Sequence, residues 1–326
     1  MLDLTKIRRG AVEDAERAQR TNLNIGMKTF HPILDPQASD ANALSFAHHV
    51  GRKCALAMMI KAPRAGASKT RLVPPLTHEE AARLSASFLR DTAANIAEAC
   101  AEFAESGGGV DAVASYTPRG AEAAFGELLP PEFALLPQRG DSFGERLFHT
   151  AADLLRLGYE SCCLIDSDSP TLPRALLKAA VEELSRPGER IVLGPADDGG
   201  YYLIGMRRAH RRLFEEIEWS TGEVSAQTVA RAREIKLDVA LLPAWYDVDD
   251  AAALRRLRAE LFDTPRDAGE ACSPYLAPYS APHTRAALAR LLEGDAHIGI
   301  EAGAQEEREK EKEGKEENEG EGEGVA

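Results

Sequence analysis

The sequence predicts an α/β fold built on a mostly parallel sheet, and three observations carry that expectation. Short apolar runs that fit buried strands alternate with longer amphipathic runs of helical period between residues 53 and 262. Several of the apolar runs end abruptly in Asp, Gly or Lys/Arg clusters, the pattern of loops at strand ends. The composition, 44% apolar, 28% charged and 6% aromatic over 326 residues, is that of a globular chain able to bury a core, and it excludes collagen-like and disulfide-dense classes.

Residues 54–60 form an unbroken apolar run of strand length, and residues 79–104 then place Leu84, Phe88 and Ile96 on a helical stripe. Strand patterns recur at 110–116, 133–136, 161–165, 191–193, 201–206 and 237–242, and helical ones at 143–157, 172–184, 224–233 and 251–262. Alternation of this kind predicts parallel strands covered by helices. Residues 263–300 predict a C-terminal appendage with a helix over 284–292.

The flanks read differently. Residues 1–52 predict a weakly ordered extension with one short helix near 10–20, and His48-His49 lacks Cys or acidic partners at ligand spacing, so it reads as solvated linker. Residues 301–326 hold eleven Glu against four Lys and Arg and predict a disordered acidic tail. That tail supplies half of the formal net charge of −14, which comes from 39 Lys and Arg against 53 Asp and Glu and argues against general nucleic-acid binding. Five cysteines without a C-x-x-C pair predict free, mostly buried thiols in a reducing compartment. No apolar run approaches the roughly 18 residues of a membrane span, and the N-terminus lacks a signal core, so a cytoplasmic location is expected.

Ligands of open α/β sheets bind beyond the carboxyl ends of the strands. The loop after the first predicted strand reads Lys61-Ala62-Pro63-Arg64-Ala65-Gly66-Ala67-Ser68-Lys69-Thr70-Arg71. Pro63 and Ser68 stand where a P-loop needs glycines, which leaves a cationic phosphate-binding loop with Lys69 as point charge, Arg71 as bidentate fork and Gly66 as its flexible point. Asp166-Ser167-Asp168-Ser169-Pro170 ends the apolar run at 161–165, so its carboxylates suit a hard cation, although Asp168 or Ser169 also fits a helix cap. Gly194 to Tyr202 carries Asp197, Asp198, Gly199 and Gly200, a tight turn whose paired acids suit metal binding or general-base work. Asp247-Val248-Asp249-Asp250 precedes a helix and reads as capping, with Asp249 a further metal-ligand candidate. Ser142-x-x-Glu145 and Ser220-x-x-Glu223 both fit capping boxes.

Taken in order, K-A-P-R-A-G-x-x-K-T-R-L, G-D-S-F-G-E-R, D-S-D-S-P-T-L, L-G-P-A-D-D-G-G-Y-Y-L-I-G and W-S-T resemble a bacterial family of glycosyltransferase-A-like proteins. This family, of the arsenosugar-biosynthesis type, belongs to the nucleotide-diphospho-sugar transferase superfamily, and the likeness covers about residues 55–260. The resemblance implies a Rossmann-like GT-A fold over 53–262, a nucleotide-activated donor and a divalent metal, Mg²⁺ or Mn²⁺. By position it makes Lys69 and Arg71 the basic loop, Asp168 the metal-site aspartate and Asp198 the acid of the Gly-Gly-Tyr motif. Asp166 replaces the family's usual glycine, which turns the motif into a literal D-x-D. The expected activity is metal-dependent transfer of a sugar from a nucleoside diphosphate to a hydroxyl acceptor. Lys69, Arg71, Gly66, Asp197 and Gly199 are then the substrate-binding residues, Asp198 the catalytic one, and Asp166, Asp168 and Asp249 the metal ligands. Nucleotidyl transfer onto a phosphorylated small molecule and nucleotide binding without turnover are the alternatives.

Overall fold

The computed structural model describes residues 31–36, 54–263 and 276–293. Strands β1 (Cys54–Lys61), β2 (Val110–Thr117), β3 (Ala134–Pro137), β4 (Ser161–Ile165), β5 (Arg190–Pro195), β6 (Tyr201–Met206) and β7 (Asp238–Leu241) form one sheet in the order β3-β2-β1-β4-β6-β5-β7. Strand β6 runs antiparallel to β4 and β5, and every other pairing is parallel. Among the described residues, helices α1 (His78–Glu105), α2 (Phe143–Arg156), α3 (Arg174–Ser185), α4 (Val224–Glu234), α5 (Ala251–Arg258) and α6 (Pro282–Glu293) flank the sheet.

The two-residue period of a strand sends neighbours to opposite faces, and β1 shows why both faces must be covered. Cys54, Leu56, Met58 and Ile60 enter a core shared with Leu84 and Phe88 of α1, Leu177 of α3, Leu254 of α5 and Leu288 of α6. Ala55 and Ala57 enter the opposite core with Leu147 and Leu154 of α2 and Ala232 of α4. All six of these β1 side chains are at most 2% exposed, which is why the run reads as continuously apolar rather than alternating.

Helix starts follow local chemistry. Thr77 and Glu80 close a capping box on α1, and Ser142 and Glu145 close the expected one on α2. The box expected from Ser220 and Glu223 does not form: α4 begins at Val224 without a side-chain cap, and Thr221 instead donates to the Glu218 carbonyl at 2.7 Å. Helix α3 begins after Pro173, two residues later than the periodicity suggests, and α5 stops at Arg258 and continues as one wide π turn, Ala259–Asp263.

Residues 31–36 are more than an extension. Leu34 N–H donates to the Leu135 carbonyl at 2.7 Å and Leu135 N–H to the Pro32 carbonyl at 2.8 Å, so this segment pairs with β3 at the sheet edge. The C-terminal helix α6 is anchored from the core: Asp91 of α1, 0% exposed, accepts from the N–H groups of His283 at 3.0 Å and Thr284 at 2.6 Å. Burial holds the Asp91 carboxyl above its usual pKa despite these bonds. Cys54, Cys162 and Cys163 are buried free thiols as expected, and Cys100 is a half-buried one. The helix expected near 10–20, His48, His49, Cys272 and the acidic tail lie outside the described residues. No helix among the described residues is long and apolar enough to cross a membrane.

Candidate active site

Strand order reverses between β1 and β4, because β2 and β3 lie outward of β1 on one side while β6, β5 and β7 lie outward of β4 on the other. A crevice opens at the carboxyl ends of strands at such a switch point. Lys61 ends β1 and Ile165 ends β4, so the basic loop and the Asp166–Pro170 loop necessarily meet there. Backbone bonds bring in the other loops. Asp166 N–H donates to the Tyr202 carbonyl at 3.0 Å, Val248 N–H to the Asp168 carbonyl at 2.9 Å, and Trp245 N–H to the Pro195 carbonyl at 3.1 Å. Ser225 N–H donates to the Gly199 carbonyl at 2.9 Å and ties the first turn of α4 to the same turn.

Two pockets result, and Asp168 lines both. The first, about 240 Å³, is walled by Lys61, Lys69, Arg71, Ser85, Asp168 and Asp249. The second, about 170 Å³, is lined by Asp166, Asp168, Asp198 and Asp247 and, among its apolar groups, by Met59, Phe143, Tyr201 and Trp219.

Lys69 is not the exposed phosphate grip that the sequence suggests. Its side chain is 5% exposed, and its Nζ lies 2.9 Å from Asp168 Oδ1 and 2.6 Å from Asp249 Oδ1. Burial disfavours the ammonium, but the two carboxylates outweigh it and hold the Lys69 pKa above its usual range. The backbone of Lys69 is left-handed, φ 50°, which turns the side chain into the site. Arg71 is 64% exposed, 3.7 Å from Asp249, and free to fork toward an anion in the first pocket.

The acids divide the work unequally. Asp166 accepts from Ser169 Oγ at 2.7 Å through Oδ2, while its Oδ1 is buried without a hydrogen-bond partner. Burial first and the Asp168 charge second push its pKa well up. Asp198 Oδ1 accepts from the Gly200 N–H at 2.8 Å, and the residue lines the second pocket. Asp247 is pushed up to about 7, by burial and then by the charges of Asp249 and Asp198. It went unrecognised in the sequence because all three acids of Asp247-Val248-Asp249-Asp250 resemble caps. Only Asp250 caps, accepting from the Ala253 N–H at 2.8 Å, which frees Asp247 and Asp249 for the site. The rise of Asp247 into the general-base range comes first from burial, which leaves no local signal, although the next cause, Asp249, stands two residues away.

Three sequence candidates stand apart. Asp197 turns to Arg256 of α5 at 2.6 Å and lines neither pocket. Gly66 makes an open turn, φ +74°, in the basic loop without lining the pocket. Gly199, φ +88°, acts by close approach: a Cβ there would sit 2.0 Å from the Gly222 carbonyl, so only glycine lets the acid-bearing turn pack on the Ser220–Gly222 backbone. Trp219, part of the W-S-T motif, proves to be a pocket wall.

The hard oxygen donors of the site fit a divalent cation of the Mg²⁺ class. No three His, Cys, Asp or Glu side chains among the described residues form a ready-made cage. Such an ion needs only one or two carboxylates when water and substrate phosphate complete its shell.

Residues 100–221 match a family described as "Uncharacterized protein conserved in bacteria (DUF2064)". That span holds Asp166, Asp168, Asp198 and Trp219 but neither the basic loop nor Asp247 and Asp249. No curated protein matches the chain. A crystal structure of a candidate nucleotide-diphospho-sugar transferase from Desulfovibrio desulfuricans G20 is 28% identical, with 74% of this chain and 96% of that one covered and a TM-score of 0.60. More distant structures include a CMP:2-keto-3-deoxy-manno-octonic acid synthetase with CTP, at 11% identity, 64% and 97% coverage and TM-score 0.40. Another is the 4-diphosphocytidyl-2C-methyl-D-erythritol synthase of Anaerococcus prevotii, at 10% identity, 64% and 99% coverage and TM-score 0.41. Over residues 100–221 the chain matches the DUF2064 family, and its sheet places it in the fold of the Desulfovibrio candidate nucleotide-diphospho-sugar transferase, to which it is similar over 74% of its length.

Proposed function

We propose that the protein is a transferase that binds a nucleoside-diphosphate sugar and moves the sugar to a hydroxyl of a second substrate. One observation carries this reading: a cation-lined pocket and an acid-lined pocket share Asp168 as their common wall at the switch point of the sheet. Diphosphate suits the first pocket, where Arg71 and Lys61 offer exposed donors, and the second pocket then receives what is attached to it. The likeness to the Desulfovibrio protein supports the same donor class.

In this reading Arg71 grips a phosphate oxygen bidentately and Lys61 adds charge. Lys69 acts as a positioning residue, holding Asp168 and Asp249 in place through one oxygen of each. Their remaining oxygens, and the Asp166 carboxyl beside them in sequence, would be the donors to hold Mg²⁺ or Mn²⁺. When bound, the cation would neutralise the charge that develops on the departing diphosphate. The acceptor oxygen bonds to the anomeric carbon as the bond from that carbon to the phosphate oxygen breaks. The hydroxyl proton passes to a carboxylate of the second pocket. Asp247, its pKa pushed up to about 7, and Asp198, which lines the same pocket, are the two candidates.

The test is a thermal-shift panel of nucleotide sugars and nucleoside triphosphates, each with Mg²⁺, Mn²⁺ or EDTA. A donor at 100 times its Kd stabilises by about 2.7 kcal/mol. The reading expects the largest metal-dependent shifts with a nucleotide sugar, and nucleoside diphosphate release in the presence of a hydroxyl acceptor. Pyrophosphate release from a triphosphate would replace it with nucleotidyl transfer. Shifts unchanged by EDTA would remove the metal from the reading.

A further inference from the structure

A third pocket, about 460 Å³, adjoins the second, because Trp219 lines both. It opens between α2 and residues 211–217, and none of the aspartates assigned to metal binding or proton transfer lines it. Gly144 sets the join: a Cβ there would lie 2.6 Å from the Phe214 carbonyl and 3.1 Å from the Trp219 ring, so α2 meets both only where it lacks a side chain. The Phe143 ring, which lines the second pocket and not the third, meets Trp219 edge to face at 5.0 Å and 89° and steadies this shared wall.

The third pocket combines ring surface with hydrogen-bonding groups whose charges are largely matched. Trp219 and Phe148 are both half-buried and line it. The Arg211 guanidinium lies 4.3 Å from the Phe148 ring and makes no hydrogen bond or ion pair among the described residues, so its N–H groups are available beside that ring. Glu145 accepts from the N–H groups of Asp141 and Ser142 at 2.8 and 3.2 Å, and Glu216 lies 3.0 Å from Arg212 and 3.1 Å from Arg231. Both acids use Oε2 for these contacts, which leaves Oε1 of each to accept from a ligand hydroxyl. The remaining acid, Glu215, is 3.9 Å from Arg212, and the Arg211 charge acts on Glu145. No large unbalanced charge is left for a charged ligand to meet, and a wholly apolar ligand would bury Arg211 and the carboxylates unpaired. A ring with C–H faces and a rim of hydroxyls satisfies both kinds of surface.

We infer that the third pocket is the acceptor site and that the acceptor is an uncharged saccharide, its ring against Trp219 and Phe148, its hydroxyls on Arg211, Glu145 and Glu216, and its reacting hydroxyl reaching past Trp219 into the second pocket. This deepens the transferase reading and rests on it, because that reading gives the second pocket to the group on the donor diphosphate.

Equilibrium binding to the full-length protein, read by saturation-transfer NMR, tests the inference without turnover. The probes are methyl glucoside, methyl mannoside and methyl galactoside, with cyclohexylmethanol as an apolar ring bearing one hydroxyl and glucose 6-phosphate as a charged sugar. At least one glycoside should bind saturably, and at least tenfold more tightly than cyclohexylmethanol or glucose 6-phosphate. Arg211→Met, at an exposed position, keeps an apolar cover on Phe148 and removes the donors, and it should weaken that glycoside at least tenfold. Trp219→Leu removes the ring platform and should do the same. Three glycosides that all fail to bind, a control that matches the best glycoside, or an Arg211→Met variant with wild-type affinity would each overturn the inference. Titration of UDP, GDP and CDP with Mg²⁺ on the same samples separates the two levels. Nucleotides that bind wild type and Arg211→Met alike while no glycoside binds sink the acceptor site alone. Nucleotides that fail to bind, while a glycoside binds and depends on Arg211, sink the transferase reading and leave a saccharide site without a donor.

Discussion

Lys69 shows how one side chain can serve fold and site at once. Its strained left-handed backbone persists because the ammonium has two carboxylates to meet, 2.9 and 2.6 Å away. Removing it leaves Asp168 and Asp249 with only the exposed Arg71, 3.7 Å from Asp249, for compensation. Both are partly exposed, so the cost falls below that of a fully buried pair, at about 1–3 kcal/mol. Lys69→Met should therefore lower the melting temperature and weaken nucleotide binding together. Arg71→Ala should leave melting unchanged and cost about 1.5–3 kcal/mol of nucleotide affinity, since the guanidinium is exposed. Melting curves and titrations on the two variants separate these outcomes, and equal melting of Lys69→Met and wild type would show that the pair is not structural. Asp247 gives a pH-dependent counterpart. Its folded pKa, about 7, lies above the usual carboxylate value, so its neutral form is favoured on folding. That contribution is present in full at low pH and is lost as pH rises toward and through 7. Asp247→Asn should raise stability by about 1–2 kcal/mol at pH 8, after allowance for partial exposure, with the gain vanishing near pH 4. Turnover should fall about 10²- to 10⁴-fold if Asp247 is the base. Chemical denaturation at both pH values checks the first part, and product formation the second.

At the scale of elements, strands and helices were legible because each carries its own period and its own ends. The β1 run is apolar on both faces, and Thr77 and Ser142 announce their helices with a Glu three residues on. The site was legible only in part. Asp166 and Asp168 could be placed because an apolar run stops at them. The burial of Lys69 depends on Asp249, 180 residues away, and no local pattern reveals such a partner. Asp197 and Asp198 stand side by side in one turn and both read as site residues, yet the turn sends Asp197 to Arg256 and Asp198 to the pocket. The C-terminal helix makes the same point: Asp91 sits mid-helix in α1 and caps α6 across the core. Asp91→Ala would strand two helix N–H groups beside a buried void and should cost about 2–3 kcal/mol, with Asp91→Asn costing less. Hydrogen exchange should then accelerate over 282–293 before the rest of the fold, whereas uniform exchange would mean that the cap does not hold the helix.

For the molecule as a whole, strand order is what converts scattered motifs into one crevice, and order is decided by long-range pairing rather than by any window of sequence. The same holds for the edges of the sheet. β3 has only four residues and would present unpaired backbone groups, a template for association with other chains. Residues 31–36 pair with it instead, and the two central side chains of that segment face opposite ways. Leu34 is 4% exposed and joins the core under α2, while Ile33 is 56% exposed. Burying a leucine contributes about 1.5–3 kcal/mol, and an aspartate in its place adds an unpaired charge. Leu34→Asp should thus detach the segment, lower the melting temperature by several degrees and leave β3 open, so that light scattering rises with protein concentration. Ile33→Asp changes the same pairing on its solvent side and should leave both readings near wild type. If the two variants behave alike, the segment covers the edge through backbone bonds alone, and Leu34 contributes nothing specific to closing the sheet.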